Sequence, residues 1–214
     1  MKIKLTALIV FFCFAGFYPG AQAQDKELED VLTGIQDKMS KVGSISTGFV
    51  QEKNLAMFKQ KVTLKGNIYI QKPGRLAWKV SSPIRYALVI NDTDITQWDQ
   101  DSNRVQSVSL NKNPSFQVAI QQMQNWFAGS YKSMEKDYHI KLIGQQPIEL
   151  EFTPRENAVA ANFIQKVTVL FQADGQYIKL ITILEKTGDN TVLEFINAKL
   201  DQKIPAAAWD VKQD

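Results

Sequence analysis

The residue types that most often carry catalysis are scarce in this chain, and their spacing brings no catalytic set together. His139 is the only histidine and alternates with Tyr138 and Ile140 in a predicted strand, which is typical of a structural residue. The only cysteine, Cys13, lies in an apolar run near the N-terminus. The usual zinc sites and Cys–His pairs are therefore excluded, and no pattern places a serine beside His139.

Two pairs of carboxylates are the second candidates for chemistry. Asp92 with Asp94, and Asp99 with Asp101, could in principle bind calcium or act as acid and base. Both pairs flank predicted turns, where aspartate is favoured because it bonds the nearby backbone. No glycine-rich phosphate loop exists, since Lys65-Gly66 lies in the middle of a strand. The sequence predicts no catalytic residue, no metal site and no cofactor, and we expect the protein not to be an enzyme.

The N-terminus has the layout of a secretory signal peptide. Lys2 and Lys4 precede an apolar run over residues 5–17, and Ala21-Gln22-Ala23 supplies the small-residue cleavage pattern. The run is too short for a transmembrane anchor, which needs about 20 residues. We expect residues 1–23 to be the signal peptide and residues 24–214 to form one domain that acts as a monomer in the periplasm.

Charge does not indicate a nucleic-acid partner. Loss of Lys2 and Lys4 lowers the formal charge from +3 to +1, and a nearly neutral domain does not attract polyanions. Lys59, Lys61 and Lys65 alternate along the chain, which is typical of a solvated strand face. A docking patch is the alternative interpretation of these three lysines.

Hydrophobic spacing predicts one helix, a run of strands, a second helix and more strands. Apolar residues recur every three or four positions from Leu28 to Val42, with Asp25 as the expected N-cap and Gly43 at the end. Strict alternation then predicts eleven strands. They cover residues 45–53, 62–71, 75–80, 86–91, 95–99, 105–110, 138–143, 148–153, 163–172, 176–185 and 191–198.

The second helix is predicted between Pro114 and Gly129, because apolar residues there share one helical face. These are Phe116, Ala119, Ile120, Met123, Trp126 and Phe127. Short strands with short turns indicate an antiparallel meander. The predicted fold is mainly β (α+β): an incomplete antiparallel β-barrel, or half-barrel, with a helical lid.

Several stretches of the chain carry a resemblance to a known family. They are Phe49-Val50-Gln51, Gly66-Asn67-Ile68-Tyr69-Ile70, Lys72-Pro73-Gly74-Arg75-Leu76-Ala77-Trp78, Pro83, Leu150-Glu151-Phe152-Thr153-Pro154-Arg155, Phe195-Ile196-Asn197 and Ile204-Pro205. In these residues and in the order of its elements, the chain resembles the outer-membrane lipoprotein carrier family, LolA. The resemblance implies a hydrophobic cavity that shelters acyl chains.

The same resemblance implies the partners. Carriers of this family collect acylated lipoproteins from an inner-membrane releasing transporter and pass them to an outer-membrane receptor. Other members handle different acylated envelope lipids or pigments, and residues 49–55 resemble that branch equally well. The remaining alternatives are a lipoprotein-binding sensor, which usually has a second domain, an enzyme acting on envelope lipids, and a structural protein with a filled barrel.

The resemblance and the strand alternation together nominate the site. We expect the cavity to be lined by Phe49, Leu64, Ile68, Ile70, Leu76 and Trp78. We expect the lid to be formed by Phe116, Ile120, Met123 and Phe127. Lys72 is the expected lid latch, at a position where the well-studied carriers have arginine. Lysine offers a point charge rather than a planar fork, so a looser latch is predicted, and the alternative is that Lys72 only decorates a turn.

Overall fold

The computed structural model describes residues 20–57, 59–112, 120 and 123–212. Within these residues the chain forms eleven strands in one antiparallel sheet that is not closed into a barrel. The strands are β1 (Ser44–Leu55), β2 (Gln60–Gln71), β3 (Arg75–Ser82), β4 (Tyr86–Ile90), β5 (Asp94–Asp99), β6 (Val105–Ser109), β7 (Tyr138–Gln145), β8 (Ile148–Pro154), β9 (Ile164–Phe171), β10 (Ile178–Glu185) and β11 (Asn190–Leu200). The predicted half-barrel and all of its predicted strands are confirmed.

The order of strands across the sheet is β6-β5-β4-β3-β2-β1-β11-β10-β9-β8-β7. Neighbours are consecutive in the chain except at the centre, where β1 pairs with β11 and Phe49 lies opposite Phe195. Because successive strands run in opposite directions, their turns alternate between the two ends of the sheet. The edges of the sheet are formed by β6 and β7.

The first helix, α1 (Gly20–Ser40), lies across one end of the sheet. Glu27 accepts a hydrogen bond from Gln145 at the end of β7. Lys38 donates to the carbonyl of Asp174 in the β9–β10 turn at 3.2 Å. Lys72, after β2, donates to the carbonyl of Met39. We call this end of the sheet the closed end. We call the opposite end the rim, and it is formed by the loops at residues 56–57, 59, 83–85, 100–104, 155–163 and 186–189.

The start of α1 differs from the prediction. The helix begins at Gly20, so Asp25 lies inside it and does not cap it. Alanine and glutamine are good helix formers, and the segment Ala21-Gln22-Ala23 therefore continues the helix rather than interrupting it. At the other end, Gly43 follows the helix as predicted, and its amide donates to Asp201 Oδ1 at 2.7 Å.

The second helix, α2, is helical at Ile120 and over residues 123–128, and it lies against the inner face of the sheet. Phe127 is buried against Phe195, with ring centroids 5.9 Å apart. Short 3-10 helices lie before α2 at Leu110–Lys112 and after it at Tyr131–Lys136, Val159–Asn162 and Ala206–Trp209. Both helices therefore cover the apolar inner face, as an amphipathic helix must.

The outer face has a smaller apolar layer of its own. Three residues, Ala77, Ala87 and Trp98, are buried although the strand register places them on the outer face. The C-terminal segment covers this part of the sheet: Lys79 donates to the carbonyl of Ala207 at 2.8 Å. Arg75 stacks 4.1 Å from the ring centroid of Trp209. The C-terminus thus braces β3 from outside.

Candidate functional site

Burial along the inner face changes from one end of the sheet to the other. On β2, Ile70 and Ile68 at the closed end are buried, and Ile68 has no exposed surface. Leu64 is only partly buried, and Val62 near the rim is 42% exposed. The neighbouring β1 follows the same trend, since Ile45 is buried and the inner-face positions nearer the rim are half-buried. On these two strands the inner face is therefore core toward the closed end and partly accessible apolar surface toward the rim.

The accessible part spans several strands, and we call it the trough; Lys53 and Thr191 lie between its members on β2 and on β10. Pairing places its β2, β3 and β4 members on the same face, because Trp78 lies opposite both Ile68 and Leu88. Its members are Val62, Leu64, Trp78, Tyr86, Leu88 and Ile183. A partly covered apolar surface of this kind binds apolar ligands by excluding water from both.

A charged pair lies at the rim side of the trough. Lys53 Nζ is 2.8 Å from Glu185 Oε1, which joins β1 to β10 across β11. The hydrogen bond to Glu185 raises the pKa of Lys53. A cation and a carboxylate beside an apolar strip offer polar contacts to the head of an amphiphile whose chain lies in the strip.

The structure divides the predicted cavity residues into two groups. Phe49, Ile68, Ile70 and Leu76 are buried in the core cluster, to which α1 also contributes residues. Leu64 and Trp78 are partly buried and belong to the trough. Alternation along the strands placed all six on the inner face correctly, but alternation carries no information about which end of the sheet a helix covers.

Phe49 has a packing role that explains the glycine on the facing strand. Its ring centroid is 4.9 Å from that of Trp78, and Gly66 lies beneath it. A Cβ at Gly66 would come within 2.9 Å of Phe49 Cε1 and 1.9 Å of the Lys79 carbonyl oxygen. Only glycine allows β2, β3 and the Phe49 ring to approach this closely.

The predicted lid residues lie on α2 where the structure describes them. Phe127 is buried, and Ile120 and Met123 are partly buried against the core cluster. Phe116 lies outside the described residues. The prediction omitted Trp126 from the site, yet it is central to α2 packing. Its ring lies 4.7 Å from that of Phe152 and near the rings of Tyr131 and Tyr138; its place on the apolar face of the helix was the available signal.

Lys72 contacts a helix, but the helix is α1 rather than α2. Its Nζ donates to the Met39 carbonyl at 2.5 Å, and its amide donates to the Gly43 carbonyl at 2.9 Å. A cation at the C-terminus of a helix is favourable because the last carbonyls lack partners there. Burial lowers the pKa of Lys72, and the Asp201 carboxylate opposes that shift. Lys72 thus ties the end of α1 to the β2–β3 turn.

The candidates for catalysis remain apart. His139 is exposed, and its Nε2 lies 3.4 Å from Arg155 Nη1. Asp99 accepts hydrogen bonds from the amide and the hydroxyl of Ser102, which lower the pKa of its carboxyl. Asp94 accepts from the Thr93 hydroxyl at 2.6 Å. Among the described residues, no three histidine, cysteine or acidic side chains come together as a metal site.

A comparison with protein families identifies the fold family. Residues 40–212 match the family described as outer membrane lipoprotein carrier protein LolA. The match includes every strand from β1 to β11. The chain belongs to the LolA family. Helix α1, which closes one end of the sheet, precedes nearly all of the matched region.

Solved structures of this fold support the assignment at low identity. MucB is 14% identical with a TM-score of 0.55, and the match covers 86% of this chain and 62% of that chain. The MucA/MucB complex of Pseudomonas aeruginosa is 13% identical with a TM-score of 0.51, covering 86% and 60%. An uncharacterized conserved protein from Thermus thermophilus is 9% identical with a TM-score of 0.55, covering 88% and 96%. These likenesses concern the fold alone.

Two searches gave negative findings, one among curated proteins and one among the helices of this structure. None of the curated proteins matches this chain. Among the described residues, the helices are too short or too polar to cross a bilayer.

Proposed function

We propose that this LolA-family protein is a periplasmic carrier that binds the acyl chains of lipoproteins and moves them from the inner to the outer membrane. The observation that carries the proposal is the trough: six apolar side chains on the inner face that α1 and α2 leave partly exposed. An exposed apolar strip in a soluble fold marks a binding surface. On this proposal the signal peptide directs the chain to the periplasm and is removed after Ala23.

The energetics of acyl transfer fit a trough better than a polar pocket. Burial of an acyl chain contributes about 0.8 kcal/mol per CH₂, so long chains cross water only when they are covered. Branched and aromatic side chains such as Leu88, Ile183 and Trp78 offer area without directional bonds. The cargo is then held only by the burial of apolar surface, and it can be released to a receptor that offers a larger apolar surface.

The role of α2 in the proposal is that of a movable cover. Met123 and Ile120 are half-buried against the inner face, and methionine adapts its shape to variable apolar guests. By contrast, α1 is fixed by bonds at three places along the closed end. Acyl chains would enter at the rim and displace α2 rather than α1.

Tryptophan fluorescence tests the proposal, because one tryptophan lies in the trough and a fully covered one lies on the opposite face. Trp78 lines the trough, whereas Trp98 is buried on the outer face. One variant keeps only Trp78 and a matched variant keeps only Trp98, with phenylalanine at the other positions. Delipidated protein is titrated with a fatty acid brominated along its chain, and circular dichroism checks folding.

We expect brominated acyl chains to quench Trp78 and to leave Trp98 unchanged, because quenching requires contact. Equal quenching of both would indicate unspecific adsorption. A folded protein whose Trp78 is not quenched by a brominated fatty acid or a brominated acyl lipopeptide would refute the carrier proposal.

The identity of the cargo needs a second experiment. Protein purified gently from its own periplasm is examined by native mass spectrometry, and the bound material is extracted. A bound lipoprotein would support exchange with an inner-membrane transporter and an outer-membrane receptor. A bound lipid or pigment would instead place the protein with the carriers of other acylated envelope molecules.

A further inference from the structure

The rim concentrates the large apolar side chains that are most exposed to solvent. Across the described part of the chain, eight such residues stand out, and five of them lie on or directly beside the rim loops. These five are Met57 at 85%, Val159 at 77%, Phe163 at 66%, Ile84 at 53% and Val105 at 53% exposed. Single exposed apolar residues are ordinary, but a group at one end of a molecule indicates an interaction surface.

Hydrogen bonds hold the rim loops to one another. The amide of Ala56 donates to Asp189 Oδ1 at 3.0 Å, joining the β1–β2 and β10–β11 turns. The amide of Lys186 donates to the Phe163 carbonyl at 2.8 Å, joining the β10–β11 turn to β9. On the other half of the sheet, the amide of Gln100 donates to the Arg85 carbonyl at 3.0 Å. The apolar side chains are thus carried by two groups of bonded loops at one end of the sheet.

Basic residues accompany these apolar side chains. Lys59 follows Met57, Arg85 follows Ile84, and Arg104 precedes Val105. Phe163 is bonded through its carbonyl to the amide of Lys186. In full, the rim loops contain the basic residues Lys59, Arg85, Arg104, Arg155 and Lys186 and the acidic residues Asp101, Glu156 and Asp189.

We propose that the rim docks on the surface of an anionic lipid bilayer, with its apolar side chains in the headgroup layer. Separate apolar side chains on loop tips, four of the five with a basic residue nearby, suit a soft interface that surrounds them one by one. A folded protein partner would instead favour a contiguous groove with a central anchor. The excess of basic over acidic residues selects an anionic surface rather than a neutral one.

This inference extends the proposed function by giving the carrier an orientation. The trough opens toward the rim, and α1 covers the other end. A docked molecule would therefore face the bilayer with the accessible end of its inner face. Acyl chains could then leave the bilayer and enter the trough without crossing bulk water, whereas the reverse orientation would place α1 between the lipid and the trough.

Sedimentation with vesicles tests the docking directly. One set of vesicles is phosphatidylcholine alone, and the other is phosphatidylcholine mixed with phosphatidylglycerol. We expect the full mature chain to bind the mixed vesicles and to bind the neutral vesicles at least about tenfold less. Added salt should weaken the binding because it screens the cations.

The chain offers a matched pair of isoleucines for the control. Ile84 on the rim is 53% exposed, and Ile143 on β7, toward the closed end, is 49% exposed. We expect Ile84→Ser combined with Phe163→Ser to lower the vesicle partition coefficient by about tenfold or more. Ile143→Ser should leave it unchanged. Ile84, Phe163 and Ile143 are all exposed, so none of these changes should disturb folding.

The outcomes separate docking from carriage. Absence of binding to the mixed vesicles, or an equal loss in the Ile143→Ser variant, would overturn the docking proposal. If Trp78 is still quenched by brominated acyl chains in that case, the carrier proposal stands. Vesicle binding that depends on Ile84 and Phe163, in a protein whose Trp78 is never quenched, would establish docking and refute carriage.

Discussion

The two ends of the sheet use the same kind of strand for opposite purposes. At the closed end, inner-face residues such as Ile68 and Ile70 are buried in the core cluster to which α1 also contributes. There α1 is bonded to Lys72 after β2 and to Gln145 at the end of β7. Toward the rim, the same strands carry Leu64 and Val62 with their surfaces partly free. One strand can therefore supply core at one end and binding surface at the other, and the covering helix decides which.

The largest expected effect on stability appears when a side-chain truncation at the closed end of β2 is compared with one near the rim. Ile68→Ala removes a fully buried side chain and should lower the free energy of unfolding by about 2–5 kcal/mol. Val62→Ala, at a position that is 42% exposed, should lower it by less than about 1 kcal/mol. Urea unfolding followed by circular dichroism measures both. Similar losses at the two positions would mean that the trough is ordinary core.

The next effect concerns the attachment of α1. Lys72→Met removes the bond to the Met39 carbonyl and should lower the free energy of unfolding by about 1–2 kcal/mol, as expected for a charged donor on a carbonyl. Lys65→Met, at an exposed position on β2, should change it by less than about 0.5 kcal/mol. Hydrogen exchange of the last turn of α1 should rise only in the first variant. Unchanged exchange would mean that Lys72 does not hold the helix.

A smaller effect is expected from a buried phenol at the closed end. Burial raises the pKa of Tyr177 above its ordinary value of 10.0. Above that value the unfolded chain loses its phenol proton before the folded chain does, so stability is lost as the pH rises through and beyond 10. No partner for the Tyr177 hydroxyl is found among the described residues.

Tyr177→Phe should therefore keep or raise the free energy of unfolding at pH 7 by up to about 1 kcal/mol, because it removes an unpaired polar group. It should also reduce the loss of stability above pH 10. Tyr131→Phe is the matched control, since the Tyr131 hydroxyl donates to the Trp126 carbonyl at 3.0 Å and its loss should destabilise. Urea titrations at neutral and alkaline pH measure both. A destabilised Tyr177→Phe protein would indicate a hydrogen bond at that hydroxyl.

Most of the fold could be predicted from the sequence because each strand alternates clearly. The residues of β2 and β3 fall on the faces that alternation assigns to them, and every predicted strand is present. The residue at which a helix starts was harder to predict. The small residues at Ala21 and Ala23 fit a cleavage pattern and a helix equally well, and so the start of α1 was placed too late.

The site could be predicted only in part, because its composition depends on contacts between distant segments. Leu64 and Phe49 are both inner-face apolar residues, and nothing local says that Phe49 is buried in the core cluster and Leu64 is only partly buried. Lys72 was nominated as a latch, but its acceptor belongs to α1, which no spacing along the chain could indicate. The rim surface could not be predicted either, since Met57, Ile84 and Phe163 are far apart in sequence.

The pairing of β1 with β11 at the centre of the sheet bears on how the chain folds. Each half of the sheet is a meander of neighbouring hairpins and can form from local contacts, whereas the contact of Phe49 with Phe195 joins the two ends of the domain. Contacts this distant in sequence slow folding, because a long loop must close before they stabilise anything. A chain that lacks β11 would have two short sheets with unpaired inner edges at β1 and β10. The sheet therefore cannot be completed until β11, the last strand of the chain, has been synthesised.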